Sequence, residues 1–329
     1  MIRTGHAAIA VTLLLAGSAL AQQAPPPAAP PPVDFSKVEI KTTDLGDNVY
    51  MLEGQMPGSI GGNITVAVAK TGIIMVDGQF APLHDKIKAA ISTISNLPIK
   101  YLINTHYHGD HTGGNEAFAK DGAIVVADIN VKNRLAEGTT NGLTGAKTPP
   151  AAAGALPSKT YAGKMLKIRL PGRVADLHHI ASAHTDGDTY VWFKTANVLS
   201  TGDTFTNGRY PNIDFANGGN IKGMIAAADA CLKLTNARSR IVPGHGPIAD
   251  RTALVEYRTM LVTARDRMAA LVKEGKSEDD VVAAKPFADL DKKWAPTELA
   301  SRNFIRVVYH SLADKPDSKS LLKRMLRRS

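Results

Sequence analysis

The chain has 329 residues, 44 % of them hydrophobic, and carries 39 Lys and Arg against 30 Asp and Glu, a formal charge of +9. That hydrophobic content supports a real core, and an aromatic share of 5 % is no obstacle to one. The single cysteine, Cys231, excludes a disulfide within the chain.

At the amino end Arg3 precedes an apolar run over residues 7–16 and the small-residue pattern Ala19-Leu20-Ala21. This is the pattern of a secretory signal peptide over residues 1–21, with cleavage before Gln22. Its apolar core is too short to span a bilayer, so the mature chain is expected in the periplasm or secreted, without a membrane span; an uncleaved anchor is the alternative. Residues 22–33 are mostly Pro and Ala and read as an extended linker, so the folded part is expected from residue 34. An exported chain without disulfides must draw its stability from core size and bound metal.

Alternation at the strand period predicts strands at 38–42 and 48–52, and two more are expected at 63–69 and 73–76 around the turn Lys70-Thr71-Gly72. Between the second and third, residues 53–62 hold four glycines and a proline, which reads either as a mobile loop over a site or as an ordinary hairpin turn. A helix is expected over 82–96, a strand at 101–104, then helix, strand and helix at 116–120, 123–127 and 128–137. Residues 138–157 are Gly, Thr, Ala and Pro without periodicity, and a loop that long is a candidate substrate lid. Strands follow at 167–170, 176–180, 190–194 and 197–200, then a helix at 219–234, a strand at 239–242 and helices at 251–273, 277–284 and 297–312. Cys231 falls seven residues after Met224 on one face of the first of these helices and reads as packing. Two sheets flanked by helices is the economical architecture, with a catalytic domain at 34–250 and a helical extension at 251–329. The basic tail, Lys319, Lys323, Arg324, Arg327 and Arg328, lacks interleaved aromatics and reads as a solvated helix end, so no nucleic-acid partner is expected.

The most specific stretch is Thr105-His106-Tyr107-His108-Gly109-Asp110-His111-Thr112-Gly113-Gly114-Asn115, three imidazoles and a carboxylate in six positions on a strand-to-helix loop. In an extended segment residues two apart point the same way, so His106 and His108 can reach one cation while Asp110 and His111 turn toward another. Three more loops at strand ends carry ligand-type residues, His184, Asp203 and the Gly-flanked His245. Imidazole and carboxylate suit Zn²⁺ first, with Fe or Mn possible. Asp77 and Asp188, also near strand ends, are candidate supporting carboxylates or simple caps.

The set HxHxDH, then His184, Thr-Gly-Asp at 201–203 and Gly-His-Gly at 244–246, resembles the metallo-β-lactamase superfamily from about residue 38 to 247. The resemblance implies an α/β fold, the four-layer αβ/βα sandwich with metals at the sheet edge. It assigns one metal to His106, His108 and His184, a second to Asp110, His111 and His245, and a bridging role to Asp203. A bridging aspartate is the pattern of glyoxalase II thioesterases and acyl-homoserine lactonases, and departs from lactamases with cysteine there. The lysine that many of those lactamases carry three residues on is also replaced, by Thr206.

Two divalent metals about 3.5–4 Å apart can hold one water between them and bring its pKa toward neutrality. Asp110 would then be ligand and orienting acceptor for that nucleophile. The leading expectation is an exported dinuclear zinc hydrolase opening an activated carbonyl of a small molecule, lactam or lactone. A glyoxalase II-like thioesterase is the alternative, weakened by export because glutathione thioesters are cytosolic. A non-catalytic exported metal-binding protein of a redox pathway is a third. Arg209 and Tyr210, the nearest cation and phenol after Asp203, are expected to hold a substrate carboxylate or carbonyl, unless Arg209 braces its loop from outside. The oligomeric state is not readable.

Overall fold

The computed structural model describes residues 33–56 and 58–313. The expected signal peptide and the basic tail lie outside the described residues, as does the expected linker apart from Val33. Among the described residues, those from Phe35 to Ala313 form one compact unit.

In chain order the strands and helices are β1 (Glu39–Asp44), β2 (Val49–Met56), β3 (Gly58–Val68), β4 (Ile73–Val76), α1 (His84–Ser92), β5 (Ile99–Ile103), α2 (Gly109–Thr112), α3 (Asn115–Lys120), β6 (Ile124–Asp128) and α4 (Ile129–Glu137). A two-residue ribbon, β7 (Thr139–Thr140) with β8 (Lys147–Thr148), precedes β9 (Lys159–Tyr161). The second part comprises β10 (Met165–Leu170), β11 (Arg173–Ile180), β12 (Asp188–Phe193), β13 (Val198–Ser200), α5 (Ile221–Leu234), β14 (Arg240–Val242), α6 (Arg251–Lys273), α7 (Glu278–Ala284), α8 (Ala288–Trp294) and α9 (Glu298–Ala313).

The first sheet runs β1-β2-β3-β4-β5-β6-β9 and the second β10-β11-β12-β13-β14. Strand β4, Ile73-Ile74-Met75-Val76, is apolar throughout and buried throughout, which demands cover on both faces. Both covers are present. Ile74 and Val76 pack in a cluster with Leu177, Val191 and Phe193 of the second sheet, whereas Ile73 and Met75 pack with Ile87 and Ile91 of α1 and Phe118 of α3. On the far side of the second sheet, Trp192 and Leu199 share a core with Met224 and Cys231 of α5, Tyr257 of α6 and Phe304 of α9. Helix, sheet, sheet, helix is therefore the order of layers, and Cys231 is buried packing. The helices after residue 250 complete the last layer instead of standing apart, since they bury Tyr257 and Phe304 in that core.

Local chemistry explains the element ends. Asp250 caps α6 by accepting from the Ala253 amide, and Ser277 with Asp280 forms a capping box on α7. Residues 53–62 resolve to the hairpin reading: β2 runs to Met56 and β3 restarts at Gly58, with a bulge near Gly54. Helix α2, helix α8 and strands β7 to β9 were not expected from periodicity, because each is one or two turns, or three residues or fewer, too short to show one.

Candidate metal centre

Three of the ligand-type residues stand three positions beyond a strand end: His106 after β5, Asp203 after β13 and His245 after β14. His184 sits in the turn between β11 and β12. After His108 the single turn of α2 carries Asp110 and His111, and the His111 ring packs against that of His106 at 4.2 Å between centroids. The side-chain atoms gather into two groups, His106, His108, His184 and Asp203 in one, and Asp110, His111 and His245 in the other, with donor atoms within 4.8 Å of one another in each.

Four of the five imidazoles are fixed from outside. His106 Nδ1 lies 3.0 Å from the Thr105 hydroxyl, His108 Nε2 3.1 Å from Asp214 Oδ2, His111 Nδ1 2.8 Å from Asp77 Oδ2 and His184 Nδ1 2.7 Å from the Asn212 carbonyl. In His106, His108 and His184 those acceptors place the ring proton on the outer nitrogen and leave the inner one bare. The inner nitrogens then crowd together: His108 Nδ1 is 2.9 Å from His184 Nε2 and 3.1 Å from His106 Nε2. Bare nitrogens at that spacing have no proton to share, and a cation among them is what satisfies them.

Asp203 belongs to both groups. It is 8 % exposed, with Oδ1 3.2 Å from His111 Nε2 and Oδ2 3.3 Å from His245 Nε2 and 3.7 Å from His184 Nε2. Its Oδ1 has no hydrogen bond, although the atom is fully buried. An orphaned carboxylate oxygen beside converging imidazoles fits a metal centre.

The electrostatics divide the two groups. Burial holds His106 well below the ordinary histidine range and His184 at about 4, so these two imidazoles are neutral. In the second, burial pushes His111 and His245 down, but Asp110, Asp77 and Asp203 outweigh it at His111, and Asp203 with Asp110 outweighs it at His245, which rises to about 9. Burial likewise pushes Asp110 up, and His111 with His245 overcomes this to hold it at about 2. The two carboxylates thus draw positive charge into this group, as protons when no metal supplies it.

Asp77, 1 % exposed, accepts from the Thr105 amide at 2.8 Å and the Thr105 hydroxyl at 2.7 Å as well as from His111. Asp188 accepts from the amides of His184 and Thr185 at 2.6 and 2.9 Å, and so holds the turn that presents His184. Both candidate supporting carboxylates therefore hold the residues around them, Asp77 beneath His111 and Asp188 beneath His184.

Beside His108 opens a cavity of about 450 Å³, walled by Tyr107, Arg134, Leu135, Pro149 and Ala152. The stretch 138–157, a lid candidate in the sequence, is one fastened wall of it: the Ala151 amide donates to the Leu135 carbonyl at 2.8 Å, and Asn115 Nδ2 to the Ala155 carbonyl at 3.0 Å. Arg134, the single cation of the lining, is paired with Asp186 at 2.6 Å. The Tyr107 phenol is spent on Asp214.

The family model described as the metallo-beta-lactamase superfamily matches residues 57–245, more than half of the chain. The chain belongs to the metallo-beta-lactamase superfamily. It is 28 % identical over 222 residues to a hydroxyacylglutathione hydrolase of Nitrosococcus oceani, covering 66 % of this chain and 73 % of that protein. It is 27 % identical over 145 residues to the 2,4-dinitroanisole O-demethylase subunit alpha of a Nocardioides species, covering 44 % of this chain but only 41 % of that protein's length. Among solved structures, a metallo-beta-lactamase from Pontibacter korlensis superposes with a TM-score of 0.56 at 19 % identity over 68 % of this chain and 99 % of its own, a likeness of fold. The superfamily carries the coarse activity with it: the chain is a metal-dependent hydrolase.

Within this superfamily site the structure departs from one expectation. Tyr210 does not face the centre; its phenol donates to Asp291 of α8 at 2.8 Å and its ring stacks on Phe304 of α9 at 4.0 Å between centroids. Arg209 offers its carbonyl to the Thr206 hydroxyl at 3.1 Å and does not line the cavity either. The cause is the helical layer packed on this loop, which nothing near Asp203 in sequence announces. Asp214 was missed in turn. It accepts from Tyr107, His108 and Asn217, yet lies 106 residues from His108 in a loop without a motif.

Proposed function

We propose that this chain is an exported dizinc hydrolase that opens an activated carbonyl, a lactone in the first place, whose remaining portion is uncharged. The observation that carries the substrate reading is the cavity beside His108, where Arg134 is already paired with Asp186 and the free wall is Leu135, Pro149 and Ala152. A carboxylate entering there would meet no unpaired cation, and an unpaired buried charge is costly, which disfavours anionic β-lactams.

His106, His108 and His184 would hold one ion, Asp110, His111 and His245 the other, and Asp203 both. Zinc ions bound there would make water a nucleophile near neutral pH and polarise the carbonyl under attack. The chain's own residues then orient the reaction. Ionised Asp110 at the edge of the second group accepts a hydrogen bond from the attacking water and aims it. Asp77, Asp214 and the Asn212 carbonyl keep three imidazoles turned inward throughout.

A thioester is the second reading, favoured by the identity to a hydroxyacylglutathione hydrolase. A panel of acyl lactones, uncharged acyl thioesters, glutathione thioesters and β-lactams, each assayed with the zinc-loaded protein, separates them. The proposal expects the highest kcat/KM on uncharged lactones. Preference for β-lactams or glutathione thioesters would sink it. Export rests on residues 1–21 and is tested by intact mass, with Gln22 as the expected first residue of the released protein.

A further inference from the structure

Strand β3, which holds no ligand, enters the metal centre at Gly62 and Asn63. Gly62 passes so close to His111 that a Cβ would stand 2.2 Å from the ring, and the Gln79 side-chain amide holds the strand there by donating to the carbonyls of Ile60 and Gly62 at 2.8 and 2.5 Å. The next residue, Asn63, is 3 % exposed. Its backbone N–H donates to the Gly244 carbonyl at 2.8 Å, and its side-chain amide donates to the carbonyls of Pro243 at 2.9 Å and Gly246 at 2.8 Å. Those three carbonyls bracket His245. Asn63 Oδ1 has no partner, so the side chain serves this loop only as a donor.

The first group rests on other supports, Thr105 behind His106, Asp214 behind His108, and Asn212 and Asp188 behind His184. Strand β3 touches His111 and the His245 loop among the candidate ligands' surroundings just described. From this asymmetry we infer that Asn63 is a positioning residue for the second metal, aiming His245 while leaving the His106, His108 and His184 set untouched. The inference rests on the two-metal reading above.

Groups that orient metal ligands are worth about 10- to 100-fold in metal affinity when removed. Zinc is stripped from the purified protein and returned in competition with a chromophoric chelator, which resolves the two affinities in wild type, Asn63→Ala, Asn63→Asp and Gly62→Ala. The site that His245→Ala also weakens should fall about 10- to 100-fold in Asn63→Ala while the other stays within about threefold. Asn63→Asp keeps the shape but sets a carboxylate against two carbonyls, so its loss should equal or exceed that of Asn63→Ala. Gly62→Ala, which displaces the His111 ring, should weaken the same site, and it keeps the test open should Asn63→Ala fold poorly. Equal weakening of both sites would make Asn63 merely structural, and full affinity in Asn63→Asp would show that its donors are idle. A wild type that binds a single ion overturns the two-metal reading itself, and that outcome is distinct from either result on the variants.

Discussion

Asp203→Ala is expected to cost more than the loss of any one histidine, because this carboxylate faces both groups. Its oxygens lie 3.2 and 3.3 Å from His111 and His245 on one side and 3.7 Å from His184 on the other, at 8 % exposure. A charge-assisted contact in so buried a place is worth about 1.5–3 kcal/mol, and one is lost at each ion, so roughly 3–6 kcal/mol disappears from the two bindings together. At about 1.4 kcal/mol per tenfold, the product of the two affinities should fall by ~10²- to 10⁴-fold. His245→Ala, by contrast, should weaken one ion alone, since His245 contacts only Asp110, His111 and Asp203 among the candidate ligands. Metal content after dialysis against chelators of graded strength reads both variants. The reasoning fails if Asp203→Ala retains two ions with wild-type resistance to chelation, or if its loss is confined to the ion that His245→Ala also loses.

Asp77→Ala strands the Thr105 amide, the Thr105 hydroxyl and His111 Nδ1 in a buried place. Urea unfolding should show a loss of about 3–5 kcal/mol, and a loss under about 1 kcal/mol would contradict it. The pH dependence of metal uptake should differ between the groups. His245 in the metal-free protein is raised to about 9, so its proton stabilises the fold fully below its ordinary 6.5, and that contribution is lost as pH rises through about 9. Metal must displace that proton, so affinity of the second group should climb up to about pH 9, whereas His184, held at about 4, should add no such dependence over the same range in a chelator competition run at several pH values. Ala152→Trp fills the cavity wall and should lower kcat/KM for bulky acyl substrates by about tenfold or more while sparing acetyl esters, as a chain-length series would reveal. Tyr210→Phe removes only the bond to Asp291, so about 1 kcal/mol of stability should go and KM should not move.

What the sequence disclosed and what it hid follow from the range of the forces involved. His106, His108, Asp110 and His111 were legible because strand and loop geometry act within a few residues, and four ligand-type side chains in six positions have few structural explanations. His184, Asp203 and His245 were legible only as a set, each being an ordinary loop residue by itself. The strand Ile73–Val76 was legible as a strand, and its unbroken apolar run matches the burial of both its faces between two layers. The outer supports carry no such signature. Asp214 reaches His108 across 106 positions, and Asn63 reaches Pro243 across 180. A polar residue in a loop or a strand reads the same whether it meets water or a carbonyl from the far half of the chain. Tyr210 failed for the converse reason: proximity to Asp203 along the chain placed it near the metals, but an aromatic ring of that area is worth more against Phe304 than in a wet pocket. Residues that bind the cations were thus spelled out locally, whereas residues that aim them are decided by tertiary packing, and specificity in this site is set by the second kind.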